Sequence, residues 1–108
     1  MSKDLTGGLT LLEIEALKKK HKVKSIHLVT VESEDGELYF WFKKPDMTTL
    51  SAVASIADKD PIKSAQVLFK NCLIKGDADY ANDADVFPSV SQHLHKIMNQ
   101  AKSKLEKF

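Results

Sequence analysis

Apolar and polar positions repeat along this 108-residue chain with two different periods, and the switch between them marks its elements. From Val23 to Ser33 the period is two: Ile26, Leu28 and Thr30 interleave with His27, Val29 and Val31. β-branched residues are dense there, so the pattern predicts a strand. Glu34-Asp35-Gly36-Glu37 supplies a tight turn, because Asp-Gly tolerates the positive φ angles that a hairpin needs. Leu38 to Lys43 is the returning strand, and Pro45, which has no amide hydrogen to donate, ends the pairing.

Elsewhere the period is helical. Thr10 and Glu13 have the spacing of a capping box, which predicts a helix from about Leu11 to His21 with Leu11, Ile14 and Leu17 at helical spacing. Lys18, Lys19, Lys20 and Lys22 stand where they favour the negative end of that helix. Gly7 and Gly8 make residues 1–9 a flexible leader. Asp46 or Thr48 caps a second helix running to about Asp58, with Met47, Leu50, Val53, Ala54 and Ala57 on one stripe. Its serines and alanines make it thin, so a neighbour can approach closely. Asp60 and Pro61 open a third helix, in which Ile62, Ala65, Leu68, Phe69, Cys72 and Leu73 form the apolar stripe and Gly76 is the terminator. An acidic connection, Asp77 to Asp85, leads to a last helix starting near Pro88-Ser89, where Ser89 and Gln92 match a capping box. Its stripe is Val90, Leu94, Ile97, Met98, Ala101 and Leu105. The order predicts an α+β fold: an N-terminal helix, one antiparallel β-hairpin, then three helices packed on it, as one domain over residues 1–108.

Composition narrows the class. Hydrophobic residues make up 43% and charged residues 29%, which excludes a disordered tail. The longest apolar run, Leu38 to Phe42, is far short of the roughly 20 residues a membrane-spanning helix needs. The polar start carries no apolar h-region, so no secretory leader is expected, and the predicted location is cytoplasmic. A single cysteine excludes an internal disulfide and a multi-cysteine zinc site. All 16 basic residues are lysines and the net charge is +1, which weighs against base-specific reading of nucleic acid. A lysine-based nucleic-acid binder is the alternative reading. Charge is nevertheless uneven. Residues 1–24 carry six lysines against three acids, residues 77–85 four aspartates and no base, and residues 89–108 four lysines against one glutamate. These read as solvated faces, with a weakly bipolar surface for head-to-tail assembly as the other possibility.

Candidate chemistry is sparse. Counted from Asp77 as a calcium loop, position 5 is Ala81, position 6 is Asn82 and position 12 is Pro88, so the acidic connection fails where ligands and the glycine are required. His93 and His95 stand two apart on a helix and point to nearly opposite sides, and neither His21 nor His27 has a partner at ligand spacing. Cys72 shares an apolar stripe, where a thiol behaves as a small core group. There is no glycine-rich phosphate loop and no G-x-S-x-G turn. No catalytic role, metal or cofactor is therefore expected.

One feature exceeds what a solvated hairpin requires. Tyr39, Phe40, Trp41 and Phe42 are consecutive aromatics, where a half-buried strand alternates apolar with polar. If helices cover Leu38, Phe40 and Phe42, then Tyr39 and Trp41, with Val29 and Val31 alongside, form a surface that either the first helix or another protein must cover. A partner or a second copy is the expectation, with Tyr39, Trp41, Val29 and Val31 as the candidate protein interface.

From Leu38 onward the order of features resembles a known family. An aromatic strand runs into Lys-Pro (Tyr39 to Pro45) and a small-residue helix; then come Asp60-Pro61, Cys-Leu-Ile-Lys-Gly-Asp (Cys72 to Asp77), and Val-Phe-Pro-Ser-Val (Val86 to Val90) before an amphipathic helix. This resembles the tail assembly chaperones of tailed phages, over about two thirds of the chain and through order and spacing. The resemblance implies an intracellular, non-catalytic factor without cofactor, which coats a tape-measure protein client and keeps it soluble until tail-tube subunits polymerise around it. It implies a bacterial host cytoplasm as the setting and assigns no individual binding residues.

Overall fold

The computed structural model describes residues 8–98 and 103–108. Its elements are α1 (Leu11–His21), β1 (Ile26–Ser33), β2 (Gly36–Lys43), α2 (Met47–Ala57), α3 (Pro61–Cys72), β3 (Leu73–Lys75), a 3₁₀ turn over Ala78–Asn82, and α4 (Val86–Met98). The architecture is α+β, with a third strand added to the expected hairpin.

Local chemistry sets the helix starts. The Thr10 hydroxyl accepts from the Glu13 amide at 3.2 Å while the Glu13 carboxylate accepts from the Thr10 amide at 2.9 Å, so the capping box closes in both directions. Asp46, and not Thr48, caps α2 through the Thr49 amide at 2.8 Å. Asp60 caps α3 through the Lys63 amide at 3.0 Å, with Pro61 in the first turn where no amide bond is lost. α4 departs from expectation and begins at Val86, ahead of Ser89. The Asp83 carboxylate accepts from the Asp85 and Val86 amides at 2.8 and 2.9 Å. Pro88 then falls in the first turn, which tolerates a missing donor.

The sheet runs β1-β2-β3, antiparallel throughout. Only the glycine of the Asp35-Gly36 pair takes a positive φ, +95°. Ser33 pins the turn by accepting from the Asp35 amide and donating to the Gly36 carbonyl. β3 pairs Leu73 with Phe42 and Lys75 with Trp41, across a bulge. Here the helical stripe misleads: α3 stops at Cys72, and Leu73 leaves the helix in an extended conformation. Gly76 therefore follows a strand rather than a helix. Its φ is +138°, and a Cβ there would stand 3.0 Å from the Phe40 ring and 3.1 Å from the Tyr39 carbonyl oxygen, so only glycine fits.

Two alternate strand positions, Phe40 and Phe42, anchor the core. Phe69 of α3 meets both edge-on, with ring centroids 5.7 and 5.4 Å apart. Leu68, Cys72, Val86, Val90, Leu94 and Ile97 complete the layer that α3 and α4 lay over this face of the sheet. α2 packs on the outside of α3, where the buried Ser64 hydroxyl donates to the Val53 carbonyl at 3.0 Å. The expected flexible leader lies outside the described residues except at its end, where Leu9 is buried. Ala101 of the last stripe also lies outside them, and Leu105 is 97% exposed instead of extending the core.

Candidate protein-binding surface

Strand pairing decides which side chains share a face. Val29 pairs with Phe40 and Val31 with Leu38, whereas Tyr39 pairs with Thr30 and Trp41 with Leu28. Directly opposed residues point to the same side of a sheet, so Val29 and Val31 belong to the aromatic core face and are 5% and 7% exposed. This corrects the expected grouping of all four residues. The sequence period separates odd from even positions within each strand, but only the register says which set of β1 meets which set of β2.

Trp41 is also buried, at 3% exposure. Its cross-strand neighbour Lys75 lines one groove with Leu9, Glu13, Ala16 and Leu17, which places the segment leading into α1, and α1 itself, on the Trp41 face. Ile14, Leu17, Lys18 and His21 are the half-buried positions of that helix, one stripe at helical spacing. The half-buried stripe of α1 thus stands on the face for which the sequence left the first helix open as a cover. Leu11 falls outside the stripe and is 58% exposed. Of the four predicted residues Tyr39 alone reaches solvent, at 38% exposure. Its hydroxyl donates to the Glu37 carboxylate, and that bond raises the phenol pKa above its usual value.

The surface that stands open is on α2. This helix, Met-Thr-Thr-Leu-Ser-Ala-Val-Ala-Ser-Ile-Ala, carries no charged side chain, yet none of its residues is buried. Met47 is 76% exposed, and Met47, Thr48, Ser51, Ala52 and Ser55 line a shallow concavity along its outer side. A solvated helix ordinarily turns charged residues outward, and interface cores are the places where charge is depleted. The sequence carried this signal as an eleven-residue run without Lys, Glu, Asp or Arg, next to segments rich in all but the last.

Electrostatics divide the molecule along the hairpin. At its tip the Tyr80 hydroxyl donates to Asp35 at 3.0 Å, and Glu32, Glu34, Asp35, Asp83 and Asp85 line a common cleft. At the open end Lys43 lies near enough to His21 to lower the imidazole pKa, after the larger effect of burial. The aspartates of the acidic connection are occupied structurally: Asp77 accepts from the Asp79 amide and Asp83 starts α4. Among the described residues no group of three or more His, Cys, Asp or Glu is placed to hold a metal ion. Cys72 is buried in the core, and burial pushes its thiol up to about 11. His27 faces the same core from its edge with Nε2 buried and, among the described residues, without a hydrogen-bond partner. Burial, then the charge of Lys44, lowers its pKa. No described helix is long and apolar enough to cross a membrane.

The class is therefore a small α+β domain, with an aromatic sheet face under two helices and a lighter cover on the other face. No protein-family model matches the chain, and no curated protein matches it. Among solved structures it is similar to an uncharacterised protein from Bacillus stearothermophilus, with a TM-score of 0.56 and 18% identity, over 86% of this chain and 98% of that one. At that identity the likeness is one of fold.

Proposed function

We propose that this chain is a non-catalytic protein-binding module that keeps a long apolar client soluble, as its resemblance to tail assembly chaperones implies. The client would be a tape-measure-like protein, the setting a bacterial host cytoplasm, and no cofactor would take part. The observation that carries this reading is α2, an uncharged helix lying on the outside of the domain with none of its residues buried. Small side chains at Ser51, Ala52 and Ser55 would let a client helix approach the backbone closely, with Met47 as an adaptable apolar contact.

Co-expression with an aggregation-prone tape-measure fragment tests it. The wild-type chain is expected to hold the fragment in the supernatant, while Met47→Lys/Ala52→Lys leaves it in the pellet with an unchanged circular dichroism spectrum. A fragment that stays insoluble beside the wild-type chain, or is equally soluble beside the variant, overturns the reading. A lysine-based nucleic-acid binder is the second reading, favoured by the approach of Lys43 to the lysine-rich end of α1. It predicts affinity for nonspecific DNA that falls steeply with salt.

A further inference from the structure

We propose that the groove between α3 and α4 receives the C-terminal segment of a second copy of this chain, with Leu105 and Phe108 as its anchors. This inference concerns a different surface from α2 and does not rest on the client reading.

The groove, of about 500 Å³, has Ile62 and Ala65 of α3 on one wall and Phe87 and Pro88 of α4 on the other. Ile62 is 67% exposed, an apolar side chain with no cover, while Phe87 is half-buried and backed by Phe69 at a centroid distance of 6.0 Å. The polar group on its floor is already satisfied: Gln66 donates to the Ala81 carbonyl at 2.9 Å. An apolar ligand entering here therefore strands no buried donor.

The segment Ser103–Phe108 has the complementary character. It forms no regular structure, and Leu105 and Phe108 are 97% and 107% exposed, so neither anchor is docked on its own chain. The charges match as well. Asp83 lines the groove and belongs to the stretch 77–85, which holds four aspartates and no base. Residues 89–108 carry four lysines and one glutamate, and that glutamate, Glu106, is already paired with Lys104 at 2.6 Å.

The exposure of both anchors favours a second copy, since the chain itself covers neither Leu105 nor Phe108. The first turn of α4 lines the groove, while the chain leaves α4 at the far end of its 13 residues, roughly 20 Å away. Exchanged reciprocally between two copies such a contact closes a two-fold dimer, and passed in one direction it builds rows or rings.

Sedimentation velocity over a range of concentrations tests this on the 108-residue chain. The wild-type sedimentation coefficient is expected to rise with concentration and to rise less in high salt. Leu105→Ser/Phe108→Ser should weaken association at least tenfold, and so should Ile62→Glu or Ser91→Arg on the groove walls, with thermal unfolding unchanged. Mixing the anchor variant with a groove variant should restore pairs and nothing larger, because only one intact groove then meets one intact segment. A wild-type chain that stays monomeric at every concentration overturns the proposal. So do a folded variant that associates like the wild type and a mixture that fails to pair.

Discussion

The two faces of one sheet are held in different ways. On the face formed by Phe40, Phe42, Val29 and Val31, two helices contribute side chains that are themselves almost wholly buried, and aromatic rings meet edge to face. On the opposite face Trp41 is as deeply buried, yet the helix above it buries none of its own residues. Burial of a strand residue is therefore a poor guide to the strength of the element that covers it. The first face has packing from both sides of the contact; the second carries a large buried indole on the side where α1 offers only a half-buried stripe. Local opening is expected to follow that difference, with α1 amides exchanging faster than those of β2 and α3.

Substitutions sharpen the contrast. Phe69→Ala removes the ring that touches both Phe40 and Phe42, and should cost about 4–5 kcal/mol in urea unfolding, the upper part of the range for buried aromatics. Trp41→Ala should cost less, about 3 kcal/mol, because the lightly held α1 can settle into the space. If the two losses are equal, or if Trp41→Ala leaves stability intact and changes only association, the contrast between the faces is wrong. Thr10→Ala breaks the capping box and should cost about 1 kcal/mol. Its effect should appear as faster hydrogen exchange confined to α1; a uniform loss across the core would tie α1 to the aromatic face.

The smallest effects concern titration and reactivity on the core side. His27 has a pKa held below 6.5 in the folded chain, so its contribution to stability is full above that value and declines as pH falls through 6.5 toward the folded value. The urea midpoint should therefore drop between pH 7.5 and 5, and His27→Gln should flatten that slope. An unchanged slope would place the acid sensitivity elsewhere, His21 being the next group to examine. Cys72, with its thiol pushed up to about 11, should react slowly with Ellman's reagent in the native chain and quickly in urea.

Much of this architecture was legible because its signals are local. A capping box, an Asp-Pro helix start and an Asp-Gly turn each need only three or four neighbouring residues, and all three stand where the pattern puts them. The helix start at Val86 was missed because Asp83, three residues upstream, competes with Ser89 as a capping oxygen, and both spacings read equally well. β3 was missed because three residues show no period. Leu73 fits the stripe of α3 as well as it fits a strand, and only the open edge of β2 selects the strand.

The candidate site fared differently from the fold. The sequence identified a surplus of apolar strand residues, but assigning them to a surface needed the register of β1 on β2, which a single-residue shift would invert. It also needed the position of α1, whose helical stripe has no partner written into it. What the sequence determined by itself was the helices, the hairpin and their order, because capping, turn geometry and hydrophobic period act within a few residues. What only the tertiary structure decided was which face each aromatic occupies, that Val29 and Val31 lie in the core, that Trp41 is buried on the face where α1 stands, and that the uncharged α2 remains outside. Those outcomes depend on contacts between residues far apart in the chain, where many pairings satisfy the same local pattern and packing selects among them.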